Sequence, residues 1–300
     1  MSAHDQLEVD GRQLTVSNLD KVLYPAAGFT KAQVIDYYVR IAPMLLPHLR
    51  DRPLTLKRYP QGVLGGHFYE KRCPAHRPSW VRTVPVWSER KKENVDYCLV
   101  GDLPSLVWAA NLADLELHTS LSRARDVELP TAVVFDLDPG APADLVDCCR
   151  VALMLRAVCE RLGLVAFPKT SGGKGLQVYL PVNRKTNYDQ TKSFSHALAE
   201  SLEQADPAHI VSKMRKSLRT GKVFIDWSQN DRHKTTVCAY SLRAMATPTV
   251  STPVTWDEVE KLAAHGRASD LIFSPAEALA RVKRLGDLFA PVETLKQKLP

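Results

Sequence analysis

The segment Thr131-Ala-Val-Val-Phe-Asp-Leu-Asp-Pro-Gly140 constrains this chain more than any other stretch of it. Val133, Val134 and Phe135 read as a buried strand, and Pro139-Gly140 closes it. Asp136 and Asp138 stand two residues apart, so on a strand both carboxylates share one face. Two such acids beside an apolar run repel each other and are costly unless a cation sits between them. Hard oxygen donors of this kind suit Mg²⁺ or Mn²⁺. Any fold this chain adopts must deliver that strand end to a place where charge is tolerated.

A third acid occurs in the same setting, in Lys-Val-Phe-Ile-Asp226-Trp. A carboxylate after Val-Phe-Ile does not belong on a solvated face. If its strand neighbours the first, three carboxylates converge, the arrangement that holds two metals roughly 3.5–4 Å apart for phosphoryl transfer. On its own, D-x-D equally suits a turn that stabilises a Pro-Gly corner. Haloacid-dehalogenase-type phosphatases also place D-x-D after a buried strand, but with Thr or Val two residues later, where this chain has Gly140.

Pro168-Lys-Thr-Ser-Gly-Gly-Lys-Gly-Leu-Gln-Val-Tyr-Leu-Pro181 puts a small, flexible loop before a strand. Gly172, Gly173 and Gly175 permit close backbone approach. Ser171 offers a hydroxyl and Lys174 a point charge, so backbone N–H groups plus one lysine form a candidate triphosphate nest. The loop is not a Walker A motif, because Gly175 rather than Ser or Thr follows Lys174. Taken alone it is equally a hairpin turn.

Around these motifs the pattern is mixed. A capping box at Thr30 opens a helix that carries Val34, Tyr37, Ile41 and Leu45 up to Pro47. Further helices are expected over 142–163 and 190–204 and from near Trp256, with strands at 131–137, 176–182, 222–227 and 235–240. The fold class is therefore α/β (α+β) around a catalytic sheet, with expected lobes 1–125 and 126–300. The 300 residues are 45% hydrophobic and 24% charged, ordinary for a globular protein. No apolar run approaches the roughly 20 residues needed to span a bilayer, and the polar N-terminus lacks a secretory segment, so a cytoplasmic protein is expected. Six cysteines include no C-x-x-C pair, which favours buried reduced thiols over a zinc site or disulfides. The formal charge of +7 favours a polyanionic partner, and residues 211–222 hold five cations with no acid.

Taken in order, F-D-L-D-P-G, T-S-G-G-K-G-L-Q-V-Y, K-V-F-I-D-W-S-Q-N and Y-S-L-R resemble the archaeo-eukaryotic primase superfamily. More narrowly, they resemble the polymerase domain of bacterial non-homologous end-joining ligase D and its stand-alone primase-polymerase relatives. N-L-D-K-V-L-Y-P, G-F-T-K, R-Y-P-Q-G-V, F-Y-E-K and L-E-L-H match as well, so the likeness runs from about residue 14 to beyond 255. It implies a catalytic sheet of RNA-recognition-motif-like topology with a second, smaller N-terminal lobe, and no ligase or nuclease module. It also implies Asp136, Asp138 and Asp226 as ligands of two divalent ions (Mn or Mg). Ser171, Gly172 and Lys174 would hold the nucleotide's phosphates, with His118, Gln177, Gln229 and Arg243 facing the nucleotide. Many relatives carry His where this chain has Gln177, which can donate a hydrogen bond but cannot serve as an acid near neutral pH.

The resemblance also implies a DNA 5′-phosphate pocket at Asn18, Lys21 and Lys31, two lysines and an amide suited to a terminal dianion. Phe68 and Tyr69, beside Lys71, have the form of a base-stacking pair. Lys216, Arg219 and Lys222 would line the template or primer path. The implied activity is template-directed addition of nucleotides, ribonucleotides preferentially, at gapped or broken DNA with a 5′-phosphate, with nucleoside triphosphates as substrates and a separate DNA ligase as partner. Two other readings stay open: an inert DNA-end-binding module and a metal-dependent phosphohydrolase.

Overall fold

The computed structural model describes residues 4–300, which form two compact units. One comprises residues up to Ser120 with Thr235–Val250 and Ser274–Gly286; the other comprises Leu121–Lys234, Ser251–Phe273 and Asp287–Pro300. Each is described by itself.

The second unit is built on a five-stranded sheet in the spatial order Phe167–Thr170, Leu176–Pro181, Ala132–Pro139, Val223–Asp226, Ile210–Val211. Its pairs are antiparallel except the last, which is parallel. Strand alternation decides the two faces. Val133, Phe135, Leu137, Leu176, Val178, Val223 and Ile225 point into a core shared with Cys148, Ala152, Leu155 and Cys159 of the helix Leu145–Arg161. Asp136, Asp138, Gln177 and Asp226 are thereby turned to the opposite face. The helices start where side chains satisfy the first free N–H groups. Asp144 accepts from the Val146 N–H, Asn187 from Gln190 at the start of Tyr188–Ala205, and Thr255 from Glu258 at the start of Trp256–His265. The helix expected from residue 142 therefore begins at Leu145.

The first unit carries a six-stranded sheet. Its path runs Thr236–Val237, Asp114–Thr119, Pro53–Arg58, Glu93–Leu99, Thr83–Ser88, with Phe68–Glu70 pairing separately to Pro53–Arg58. The strand expected over 235–240 shortens to Thr236–Val237, because Tyr240 turns the chain with φ 65°. The capping box at Thr30 is present, and the helix Lys31–Leu49 buries Val34, Tyr37, Tyr38, Ile41 and Leu45. It runs past the expected stop at Pro47, since a proline in the last turn leaves the closing bond from the Arg50 N–H to the Leu46 carbonyl intact. Two helices were not anticipated. Leu103–Asn111 is buried on nearly every side and so shows no period, whereas Pro275–Leu285 follows a Ser274–Glu277 capping box that was there to be read.

The expectation of six reduced thiols fails for two of them: Cys73 and Cys98 form a disulfide. The Cys73 N–H donates to the Asp96 carbonyl at 2.7 Å, which draws the loop onto the strand carrying Cys98 and brings the Cα atoms within 4.9 Å. No spacing rule signals a pair 25 residues apart. Cys148, Cys149, Cys159 and Cys238 are buried and free, as expected.

Candidate active site

The register of the second unit's sheet places Asp136 directly opposite Gln177 on one neighbouring strand and Asp226 on the other, with Lys169 opposite Gln177. Four strands therefore contribute one row, Lys169–Gln177–Asp136–Asp226, across a single face, at the 4.7–4.9 Å strand spacing typical of sheets. Asp138 lies one pleat further along the same face, opposite Phe224. Thus the three acids singled out by sequence share one face of two adjacent strands.

Their electrostatics are unequal. Burial pushes the Asp136 carboxyl up to about 7, and the neighbouring charges of Asp138 and Asp226 add to it against a hydrogen bond from Gln177 and the charge of Lys169. Two anions held this closely fit a divalent cation by donor chemistry. Asp226 is engaged differently. Its Oδ1 accepts from the Ser228 N–H at 3.0 Å and from the Ser228 hydroxyl, and its Oδ2 accepts from Gln229 Nε2 at 2.9 Å. Among the described residues no three acidic, histidine or cysteine side chains are arranged as a ready metal cage. Asp136 and Asp138 are the donors that fit as they stand, and Asp226 is anchored beside them as the cap of a short 3₁₀ turn.

The glycine loop packs against the acids. A side chain at Gly175 would meet the Leu137 carbonyl oxygen at 2.3 Å, and the same point is 3.6 Å from Asp138 Oδ1. Only glycine lets the loop lie this close to the strand that bears Asp138. Ser171 Oγ accepts from the Gly173 and Gly175 N–H groups, each at 3.2 Å, so the loop closes on its own hydroxyl, with Gly172 at φ 72°. Lys174 is exposed at its tip. Gly140 serves the basic segment likewise: a Cβ there would lie 1.9 Å from the Arg219 carbonyl oxygen. Backbone bonds from Gly140 N–H to Lys222 and from Gly221 N–H to Gly140 bind the basic segment to the Asp-Pro-Gly corner. Arg219 stacks over Phe224 at 3.6 Å, and Lys216 sits in a 3₁₀ turn beside it.

Lys169 was missed by sequence reasoning. It is fully buried, donates to Ser251 Oγ at 2.7 Å and lies 5.6 Å from the Tyr179 ring centroid. A lysine inside a strand was the available signal; its relation to Asp136 needed the register.

In the first unit, His118 and Arg243 meet on a residue that sequence reasoning passed over. Glu116 is buried, with Oε1 accepting from Lys57 Nζ, Tyr59 OH and the Ala244 N–H, each at 3.1 Å. Its Oε2 lies 3.0 Å from His118 Nε2 and 3.2 Å from Arg243 Nε. Burial alone would raise the Glu116 carboxyl, but the His118 hydrogen bond and the charges of Arg243 and Lys57 hold it well below the usual carboxylate range. Burial lowers His118 in spite of Glu116, favouring a neutral imidazole. Tyr69 stands edge-on to His118 at 5.8 Å and within 5.4 Å of Lys57, while Phe68 lies under Arg58. Both aromatics are exposed on a short edge strand, with Lys71 just beyond it. The string Leu-Glu-Leu-His does hold this hub, since Glu116 and His118 alternate to one face.

Asn18, Lys21 and Lys31 are also close in the first unit. The Lys31 N–H donates to the Lys21 carbonyl, the Lys21 N–H to the Asn18 carbonyl, and Asn18 takes a left-handed φ of 53°. Burial pushes the Lys31 ammonium down to about 8, with Lys21 and Arg58 adding repulsion. Lys31 Nζ donates to the Ser17 carbonyl at 2.7 Å and Lys21 Nζ to Gln61 at 2.9 Å. Cations that repel one another at a helix start are what an anion would relieve.

Comparison with known proteins gives a consistent result. A family model described as the primase-polymerase domain of LigD matches residues 30–289. The chain is 40% identical over 283 residues to the multifunctional non-homologous end joining protein LigD of Mycolicibacterium smegmatis, covering 94% of this chain and 36% of that one. It is 28% identical over 275 residues to the bifunctional non-homologous end joining protein LigD of Bacillus subtilis, covering 91% and 43%. Among solved structures, the polymerase domain from Mycobacterium tuberculosis ligase D in complex with DNA superposes with a TM-score of 0.86 at 37% identity, over 95% of this chain and 99% of that one. The mixed α/β fold is that of this neighbour. The chain spans little more than a third of the length of the first of these relatives.

Proposed function

This chain belongs to the LigD primase-polymerase domain family, and on that premise we propose that it is a template-directed nucleotidyltransferase that adds nucleotides at gapped or broken DNA during end joining or gap repair. The observation that carries the proposal is the shared sheet face of Asp136, Asp138 and Asp226, with the Ser171–Gly175 loop packed beside it. In this reading Asp136 and Asp138, joined by Asp226, hold two divalent ions, Mn or Mg. Bound there, such ions would supply neutralisation of triphosphate charge and lower the pKa of a primer hydroxyl.

The chain's own residues do the rest. Lys174 and the Ser171–Gly172 backbone receive the triphosphate, and Lys169, two strands along the same row, balances the charge of Asp136. Gln229 and Ser228 fix the Asp226 carboxylate. Gln177 orients Asp136 without offering a titrating proton. His118 and Arg243, both anchored on Glu116, are assigned to the nucleotide. Phe68 and Tyr69 offer stacking faces to template bases, and Lys71, Lys216, Arg219 and Lys222 offer charge to the backbone. Asn18, Lys21 and Lys31 are assigned to a 5′-phosphate. Preference for ribonucleotides and sealing by a separate ligase complete the proposal. Among the described residues no helix is long and apolar enough to cross a membrane.

Primer extension on a gapped duplex with Mn²⁺, comparing wild type with Asp136→Ala, tests the reading. Extension by wild type alone is expected. DNA binding without extension by either protein would make the chain an inert end-binding module, and release of free phosphate without extension would make it a phosphohydrolase.

A further inference from the structure

A cavity of about 680 Å³ opens in the second unit at the far end of the sheet from the acids. Thr131, just before the central strand, lines it. Five residues separate Thr131 from Asp136, or about 16 Å of strand, so the cavity is not a lobe of the acid site. Three chain segments supply its charge: Arg123 and Arg125 from a short hairpin, Arg184 and Lys185 from the loop after Leu176–Pro181, and Lys296 from the C-terminal segment. Only two acids, Asp126 and Glu293, line it as well. Glu293 is bound to Arg123 at 2.7 Å, both side chains being mostly buried. Among the described residues, Arg125, Arg184, Lys185 and Lys296 have no acid partner.

The walls are pinned. Asn183 takes a left-handed φ of 44°, and its Nδ2 donates to the carbonyls of Val292 and Leu295 at 3.0 and 2.7 Å. Gln297 Nε2 donates to the carbonyls of Val165 and Pro181, both at 2.9 Å, while its Oε1 accepts from the Val165 N–H. A half-buried and a buried amide thus bolt the C-terminal segment to the loop and fix the backbone that carries Lys296 next to the one that carries Arg184. Holding like charges together on a rigid wall costs energy that an anion would return. The opening is larger than one phosphate needs, and no aromatic residue lines it. It therefore has charge for a row of phosphates but no platform for a base.

We propose that this cavity is a second, sequence-independent binding site for the phosphate backbone of duplex DNA, separate from the acid site. It does not rest on the catalytic reading. A duplex engaged there gains affinity and not chemistry.

The test is the salt dependence of binding to a blunt duplex without 5′-phosphates. Each neutralised phosphate contributes about 0.9 to the slope of log K against log salt. Arg184→Gln with Lys185→Gln should therefore flatten the slope by about 2, and Lys296→Gln alone by about 1. All three residues are exposed, so the fold is retained. Arg161→Gln with Lys261→Gln, exposed cations of the same unit outside the cavity, controls for net charge. Flattening by the cavity variants but not by the control is the expected result. An unchanged slope, or equal flattening by the control, overturns the proposal.

Discussion

Glu116→Gln preserves the shape of the most heavily bonded side chain in the first unit and removes its charge. The amide oxygen can still accept from Lys57, Tyr59 and the Ala244 N–H, but the amide nitrogen then faces His118 Nε2, which hydrogen-bonds the carboxylate, and the Arg243 guanidinium, which pairs with it. One charge-assisted hydrogen bond and one ion pair are lost inside a site that is 3% exposed, and Arg243 and Lys57 keep their charge without a buried counter-ion. Charge-assisted bonds contribute about 1.5–3 kcal/mol each, and breaking a buried ion pair on one side costs about 3–5 kcal/mol. We take about 3–5 kcal/mol as the expected loss, read as a lower urea midpoint.

The pH dependence has a definite sign. Glu116 is held below the usual carboxylate range in the folded state, so its contribution is full above the unfolded value of about 4.3 and is lost as pH falls beneath it. The stability gap between wild type and variant should therefore be constant from pH 7 to about 5.5 and close progressively in stronger acid. If His118 and Arg243 serve the nucleotide, its KM rises in the same variant. A stability loss under about 1 kcal/mol, or a gap that does not close in acid, would refute the view of Glu116 as the charged hub.

Three other outcomes are expected. Asp136→Asn removes one of two like charges facing each other across adjacent strands, worth about 1 kcal/mol, so in EDTA at about pH 8.5, above the raised value of about 7 for Asp136, its Tm should rise by about 2–4 °C while nucleotide addition disappears; a lower Tm would contradict the repulsion. Lys31 titrates near 8, so any advantage that a downstream 5′-phosphate confers should fade as pH rises through 8, vanish in Lys21→Ala with Lys31→Ala, and become pH-independent in Lys31→Arg; an equal advantage at pH 7 and 9.5 in wild type counts against the pocket. Reduction of Cys73–Cys98, or Cys98→Ser, opens a loop of 25 residues and should lower stability by about 3.5 kcal/mol; identical urea curves with and without reductant would show the link to be thermodynamically silent.

The legible part of this molecule is the part where local pattern and fold agree. Val133-Val134-Phe135 followed by Asp136 and Asp138 could be read because a strand alternates, so an apolar side dictates an acidic one. The capping boxes at Thr30 and at Ser274 are equally local, although only the first was used. What stayed hidden depends on residues far apart in sequence. Cys73 finds Cys98 only after a loop folds onto a strand. The segments 235–250 and 274–286 join the first unit only through pairings such as Thr236 with Thr119. A helix buried on nearly every side, Leu103–Asn111, erases its own periodicity.

Lys169 and Glu116 show why a sequence pattern finds catalytic candidates sooner than the charges that balance them. A buried charge is tolerated only with a partner, and the partner is chosen by register across strands, not by spacing along one. Glu116 stands opposite Lys57 on the adjoining strand, and Lys169 reaches the Asp136 row through Gln177. Each is one or two strand widths from the residue it serves and dozens of positions away in the chain. Within each unit, one correct register then implies several neighbours at once. A slip of a single residue would turn Asp136 into the apolar core and Phe135 toward the acids. The same arithmetic that makes the balancing charges illegible in one strand makes the site hard to build in any other way.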